Sequence, residues 1–416
     1  MESKKCLPSL SFGIPYRQII SNVTQFLVIF AAVLFVFSHF PVKHRSKTVH
    51  DFITVIESKT KGRLDSTQGK CPNVLDWMQH GHWELKPATW QQKRDQEKFM
   101  SINGINILTH TRKDNMCGNV SADGMHYFRA LCSPIGPNPC CKDYFCQNKP
   151  IAECKCDNCY DVRELRHAEL GTWVPENKDC PLTQFTREEA CEIVRGANIL
   201  FMGDSLMRHF HTALLLYLSG NYNGGALQKG TPQSVRDKCN GIFMYTEIEC
   251  RYYLRNTGTT CGGNTNVTMA YVFFAKDSGR ALEYISKQMD KPKSLTVTGI
   301  GLHNWLDFNL IKGYVKAIYK EMKHHKWPRL LWHGQHYQGL LKAPMYVSQS
   351  NENVAIFNNK MRDFIPDYNF EVFETYNMTK GLFSFDGTHY GIGVNRMKAL
   401  MLLHYIKQQK EMGLWE

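Results

Sequence analysis

Fifteen cysteines lie very unevenly along this 416-residue chain, and their placement limits what it can fold into. Cys6 precedes a stretch, residues 18–42, that holds no Asp, Glu, Lys or Arg; the other fourteen follow it. The centre of the stretch, Phe26 to Phe37, reads FLVIFAAVLFVF. A charge-free run of about 20 residues is long enough to span a bilayer as a helix. A cleaved signal peptide is the other reading, because the apolar centre is short and Ser38 would tolerate cleavage. No A-x-A site is present, however, and the uncharged flanks lengthen the span. Lys4, Lys5 and Arg17 before it nearly balance Lys43, Arg45 and Lys47 after it, so flanking charge does not orient it. The cysteines do. An even fourteen can pair in an oxidising compartment while Cys6 stays reduced on the cytosolic side.

The expected organisation is a cytosolic tail (1–18), a transmembrane signal anchor (19–42), a polar stem (43–70), a cysteine-rich lobe (71–180) and a catalytic domain (181–416). This describes a single-pass type II protein of the Golgi or another secretory-pathway membrane, with its body in the lumen. Sequons at Asn119, Asn266 and Asn377 fall in that body and are glycosylation candidates. The net charge of +12 divides accordingly: six Lys/Arg against one Glu in residues 1–47 leave +7 for the body. That balance suits a glycan partner. No helix-turn-helix, zinc finger or RNA-binding aromatic motif accompanies it, so no nucleic-acid partner is expected.

Eleven cysteines run from Cys71 to Cys191, with a dense run at Cys132, Cys140, Cys141 and Cys146 followed by Cys154, Cys156 and Cys159. The Cys156-x-x-Cys159 spacing also occurs in zinc sites, but in a lumenal protein a disulfide-stapled lobe is the expected reading. Gly81-His-Trp83 and Gly171-Thr-Trp173 are locally alike, either as turn-and-cover elements or by coincidence.

From about residue 181 short apolar runs alternate with amphipathic stretches. Thr186 followed by Arg-Glu-Glu reads as a capped helix start. Strand-like runs begin at Asn198, Tyr271, Leu295, Leu330 and Phe370; helical stretches cover roughly 278–290, 308–325, 351–364 and 393–410. This alternation predicts a parallel α/β sheet covered on both faces. Residues 231–268, with Cys239, Cys250 and Cys261, read as a loop insertion. Three cysteines are odd, so at least one should pair outside it if all the body cysteines are oxidised.

Two short motifs carry chemistry. Gly203-Asp204-Ser205 ends the first strand and opens a helix. A serine there stands at the carboxyl end of a strand, with its N–H at a helix N-terminus that favours a developing oxyanion. Alone, Asp204 and Ser205 would read as a helix cap. Asp386-Gly-Thr-His389 lies before the last amphipathic helix, at a spacing that lets the carboxylate hold the imidazole. Both motifs together, in the order Ser…Asp…His, point to nucleophilic ester chemistry.

Ile199-LFMGDSLMR and Asp386-x-x-His389 resemble the first and last blocks of the GDSL-type (SGNH) hydrolases. The closer likeness is to their PC-esterase branch, which includes trichome-birefringence-like and sialate O-acetyltransferases. Gly171-x-Trp173, Cys180-Pro, Arg195-Gly196, Arg208 and Gly301-Leu-His303-Asn304 add to it. His209 and Tyr390 depart from the plant pattern. The resemblance implies a three-layer α/β/α SGNH-like parallel sheet, after one transmembrane helix and a cysteine-rich lobe. It implies Ser205 as nucleophile, His389 as general base and Asp386 as orienter. Gly203, Asp204, Arg208, Gly301, His303 and Asn304 would form the oxyanion and substrate-binding set, with a glycine of the 220–225 segment as a further oxyanion donor. His303 alternatively reads as a core histidine. His333 and His336 either line the pocket or are structural. No metal or bound cofactor is needed. The expected activity is acetyl transfer to a glycan or polysaccharide hydroxyl, from acetyl-CoA or an acylated carrier, supplied on the lumenal side or by a multi-span partner. An esterase, or a silent glycan-binding surface protein, are the alternatives.

Overall fold

The computed structural model describes residues 71–416 apart from 72, 93, 96–97, 99–110, 122–126, 157–158, 247–248 and 344. The expected tail (1–18), membrane span (19–42) and stem (43–70) lie outside the described residues. Among the described residues, no helix is long and apolar enough to cross a membrane. Asn73–Glu416 is one compact unit, which joins the cysteine-rich lobe and the α/β region into a single body.

The lobe is built of short pieces held by sulfur. A one-turn helix α1 (Val74–Trp77) leads into β1 (Gly81–Leu85). The hairpins β2–β3 (Gly118–Ser121, Tyr127–Ala130) and β4–β5 (Cys140–Lys142, Phe145–Gln147) follow, then a 3-10 turn (Ala168–Leu170) and β6 (Gly171–Pro175). Disulfides join Cys117 to Cys141, Cys132 to Cys146, Cys140 to Cys154 and Cys156 to Cys159. Cys117, Cys132 and Cys141 themselves make the lobe's small core, so the staples substitute for apolar packing. The two Gly-x-Trp phrases are partners: β1 pairs antiparallel with β6, and Trp83 stands opposite Trp173. Their rings meet edge to face at 5.7 Å. The Trp83 Nε1–H donates to the Met378 carbonyl and the Trp173 Nε1–H to the Met78 carbonyl.

The α/β region runs α2 (Arg187–Ile193), β7 (Asn198–Gly203), α3 (Ser205–Ser219), α4 (Gln233–Lys238), β8 (Thr257–Thr260), β9 (Thr265–Tyr271), α5 (Ser278–Ser286) and β10 (Ser294–Gly299). It continues with α6 (Phe308–Met322), β11 (Arg329–His333), α7 (Asn351–Phe364), β12 (Phe370–Phe373), α8 (Tyr376–Thr379) and α9 (Ile392–Glu411). The sheet order is β12-β11-β10-β7-β9-β8. Every neighbouring pair is parallel except β8 with β9. Thr186 caps α2 through a complete capping box with Glu189. β10 is buried along its whole length, as the central strand of a doubly covered sheet must be. Leu200 and Met202 of β7 pack toward the α5–α6–α7 layer. Phe201, on the opposite face, meets Phe210 of α3 edge-on at 5.0 Å, and α3 packs against α9. The sheet is thus the middle of three layers.

Two boundaries differ from the sequence reading. The strand expected at Tyr271-VFF runs Thr265–Tyr271 and ends where that run begins. The expected insertion 231–268 contributes β8 and half of β9. β8 is a Thr/Gly-rich edge strand without an apolar run, so it leaves no period to read. Cys239 pairs with Cys250 inside this segment and Cys261 reaches out to Cys191, as the odd count required.

Candidate active site

Taken in chain order, the parallel strands lie 2-1-3-4-5 (β9-β7-β10-β11-β12). The order reverses between β7 and β10, and in open α/β sheets ligands bind at the carboxyl ends beside that switch. Ser205 follows β7 there, and Gly301–Asn304 follow β10.

Gly203 and Gly299 are register partners at these strand ends. A Cβ on Gly203 would lie 2.4 Å from the Gly299 carbonyl oxygen, so no side chain fits where the chain turns. Asp204 is buried and caps α3, accepting from the Leu206 N–H at 2.9 Å. Burial pushes its carboxyl up, opposed by His303, that N–H, His389 and Arg208. Ser205 is half-buried as the first residue of α3.

The Ser205 hydroxyl stands 2.6 Å from His389 Nε2, and His389 Nδ1 stands 2.6 Å from Asp386 Oδ2. With Nδ1–H donating to the carboxylate, Nε2 is left to accept the serine proton. The other Asp386 oxygen accepts the Thr388 and His389 N–H groups at 2.9 and 2.7 Å. Burial pushes the Asp386 carboxyl up, but the His389 charge and these hydrogen bonds hold it below the usual carboxylate range. Gly387 (φ +84°) makes the turn possible; a Cβ there would fall 1.9 Å from the Lys342 nitrogen. The Ser384 hydroxyl fastens the loop by donating to the His389 carbonyl at 2.8 Å.

The remaining candidates divide. His303 is exposed and stands edge-on to Phe273 and Phe274 at 5.2 and 5.9 Å, so it is not a core histidine. Gly301 opens its loop from a buried position. The Asn304 side chain braces that loop, accepting from the Ala275 N–H and donating to the Phe273 carbonyl, both at 3.0 Å. Arg208 is buried and stands 3.1 Å from His209 Nε2. The glycine donor sought in 220–225 is not there. Gly220 ends α3, whose 15 residues carry it about 22 Å along the axis from Ser205. The Gly224 and Gly225 N–H groups are spent on Asn221. His333 and His336 are fully buried, and burial drives both imidazoles well toward the neutral form. Asn119, Asn266 and Asn377 are all exposed.

Several neighbours of the site were not anticipated. Lys342 Nζ donates to Gln349 Oε1 at 2.5 Å and to the Thr388 hydroxyl at 2.8 Å. Burial lowers its pKa to about 8, against a smaller opposing pull from Asp386. Lys398 of α9 is wholly buried, 3.4 Å from His336 Nε2 and over the Phe210 ring. Trp305 and Tyr346 stand exposed beside the Gly301–Asn304 loop. An aromatic residue next to Asn304 was the only visible signal for any of them.

No protein-family model and no curated protein matches the chain. Among solved structures it is similar to a member of the lipolytic protein G-D-S-L family from Veillonella parvula. That match is 10% identical, covers 50% of this chain and 97% of the other, and has a TM-score of 0.29. A second match is Axe2, an acetylxylan esterase from Geobacillus stearothermophilus, at 14% identity, 51% and 94% coverage and a TM-score of 0.29.

Proposed function

We propose that this chain is a serine-dependent acyl-ester enzyme that transfers an acetyl group to a glycan hydroxyl. The observation that carries the reading is the unbroken hydrogen-bonded line Ser205–His389–Asp386 at the switch point of the sheet. The Ser205 oxygen attacks the donor carbonyl while His389 Nε2 takes its proton. Asp386 stabilises the imidazolium, and the Ser205 N–H at the start of α3 faces the developing oxyanion. Collapse expels the donor's alcohol or thiol, which takes the proton back from His389 and leaves acetyl-Ser205. A glycan hydroxyl, deprotonated by His389, then attacks the acyl carbon, and His389 returns that proton to the Ser205 oxygen as it leaves. The donor is acetyl-CoA or an acylated carrier on the lumenal side, supplied where needed by a multi-span partner. The disulfide-rich body supports a lumenal setting behind the 19–42 anchor, in the Golgi or another secretory-pathway membrane.

The second reading is an esterase, in which water resolves the same intermediate. Its specific support is that Ser205 and His389 remain partly open to solvent. A silent binding protein would have no use for a serine held 2.6 Å from an oriented imidazole.

The test compares the full chain with its Ser205→Ala form. A serine-directed fluorophosphonate should label the first and not the second, and labelling that persists in the alanine form overturns the nucleophile. Acetylated glycan from an acetyl donor supports transfer; free acetate alone assigns the esterase.

A further inference from the structure

We infer that Trp305 and Tyr346 form a stacking platform for a sugar ring of the glycan beside Ser205, which assigns the saccharide subsite of the function proposed above and rests on that reading. Trp305 is 61% exposed and Tyr346 36%. Their rings stack at 6.2 Å between centroids with 30° between planes. A tryptophan exposed this far gains little from the fold.

The backbone holds it outward. Trp305 and Leu306 both have left-handed φ, 54° and 58°, a conformation bulky side chains avoid and functional loops retain. The turn sends Leu306 against the apolar core and its neighbour into solvent. It is locked by Trp305 N–H to the Leu302 carbonyl, Leu306 N–H to Gly301 and Asp307 N–H to Asn304, at 3.1, 3.0 and 2.9 Å. The ring is therefore presented by a rigid loop.

The platform is tied to the triad. Gln349 Nε2 donates to the Leu302 carbonyl at 2.9 Å, while Gln349 Oε1 accepts from Lys342. Lys342 also holds Thr388, next to His389, and its Nζ lies 4.9 Å from the Tyr346 ring centroid. One hydrogen-bonded frame thus runs from the Trp305 loop to the His389 loop.

The chemistry selects a sugar over an acyl tail. Aromatic faces carry negative charge and attract the polarised C–H edges of a pyranose. The exposed His303, two residues before Trp305, offers a polar group for its hydroxyls. An acyl tail calls for an enclosed apolar channel, whereas Trp305 stands open to water.

The test uses the full chain in detergent with Ser205→Ala, so that binding is read without turnover. Probes are defined xylo-, manno-, gluco-, galacto- and sialyl-oligosaccharides, and phosphatidylcholine vesicles as the lipid arm. At least one oligosaccharide should bind. Trp305→Ala should weaken it about tenfold and Tyr346→Ala severalfold, while Trp305→Phe retains most of the affinity at an unchanged melting temperature. Absence of oligosaccharide binding, binding indifferent to Trp305→Ala, or Trp305-dependent binding to vesicles alone overturns the platform. Fluorophosphonate labelling of Ser205 is independent of these readings, so either proposal can fail without the other.

Discussion

Asp386 divides its two oxygens between two jobs. One clamps the Thr388 and His389 N–H groups and the other orients the His389 ring. Asp386→Asn keeps the size and an acceptor for the clamp. If its amide nitrogen faces Nδ1, it forces Nδ1 to accept and moves the ring proton to Nε2, the wrong side for taking one from Ser205. We expect turnover and fluorophosphonate labelling to fall about 10³–10⁴-fold with the melting temperature little changed. A variant that labels normally would remove Asp386 from the mechanism. The three triad residues were readable in the sequence because their chemistry demands particular residue types beside helix starts. Lys342 and Gln349 were not, because their importance comes from partners 46 and 47 residues away. Gly220 misled for the opposite reason: it sits close to Ser205 in sequence, but a whole helix separates them in space.

The element that positions His389 is α9, which starts three residues later. Gly391, its N-cap, supplies no side-chain cap. The lobe supplies a substitute: the Glu169 carboxylate takes the Gly393 N–H, although burial pushes its pKa up. This approach requires small residues. A Cβ on Gly391 would lie 2.3 Å from Glu169 Oε1, and one on Gly393 would lie 2.2 Å from the Ala168 backbone carbon. The carboxylate can swing away, but the backbone cannot. Gly393→Ala should therefore cost about 1–3 kcal/mol of stability and lower activity by shifting His389, while Gly391→Ala costs less. Thermal melting checks the order, and the reverse order would sink this account. Apolar runs show α9 and the central strands in the sequence, because α9 is buried through most of its length and β10 on both faces. The lobe-to-helix contact leaves no period. The β1–β6 pairing left only the repeated Gly-x-Trp, which takes its meaning from the cross-strand register.

At the scale of the whole molecule, the cysteine arithmetic anticipated a stapled lobe and a link out of the 231–268 segment. It did not anticipate that lobe and sheet would share one body, because that depends on long-range contacts such as Trp83 to Met378. The shared body buries many histidines, and this makes stability depend on pH. Burial lowers the pKa of His167 to about 4 and of His211 to about 3, and lowers His333 and His336 as well. Each is neutral when folded but protonates near pH 6.5 when unfolded. The unfolded chain therefore binds more protons below that pH, and stability falls as pH drops from about 6.5 toward about 4 for His167 and about 3 for His211. Asp204, Glu169 and Glu374 oppose this trend, since burial raises their carboxyls. A single histidine isolates the effect. His211 packs against Phe201, has an unpartnered buried Nε2 and is disfavoured as a cation by burial and then by Arg255. His211→Leu removes the titration, so denaturant melts between pH 6.5 and 4 should give a slope shallower by up to about 1.4 kcal/mol per pH unit. Parallel slopes for the two proteins would mean that His211 protonates equally in both states and that its burial does not govern acid stability.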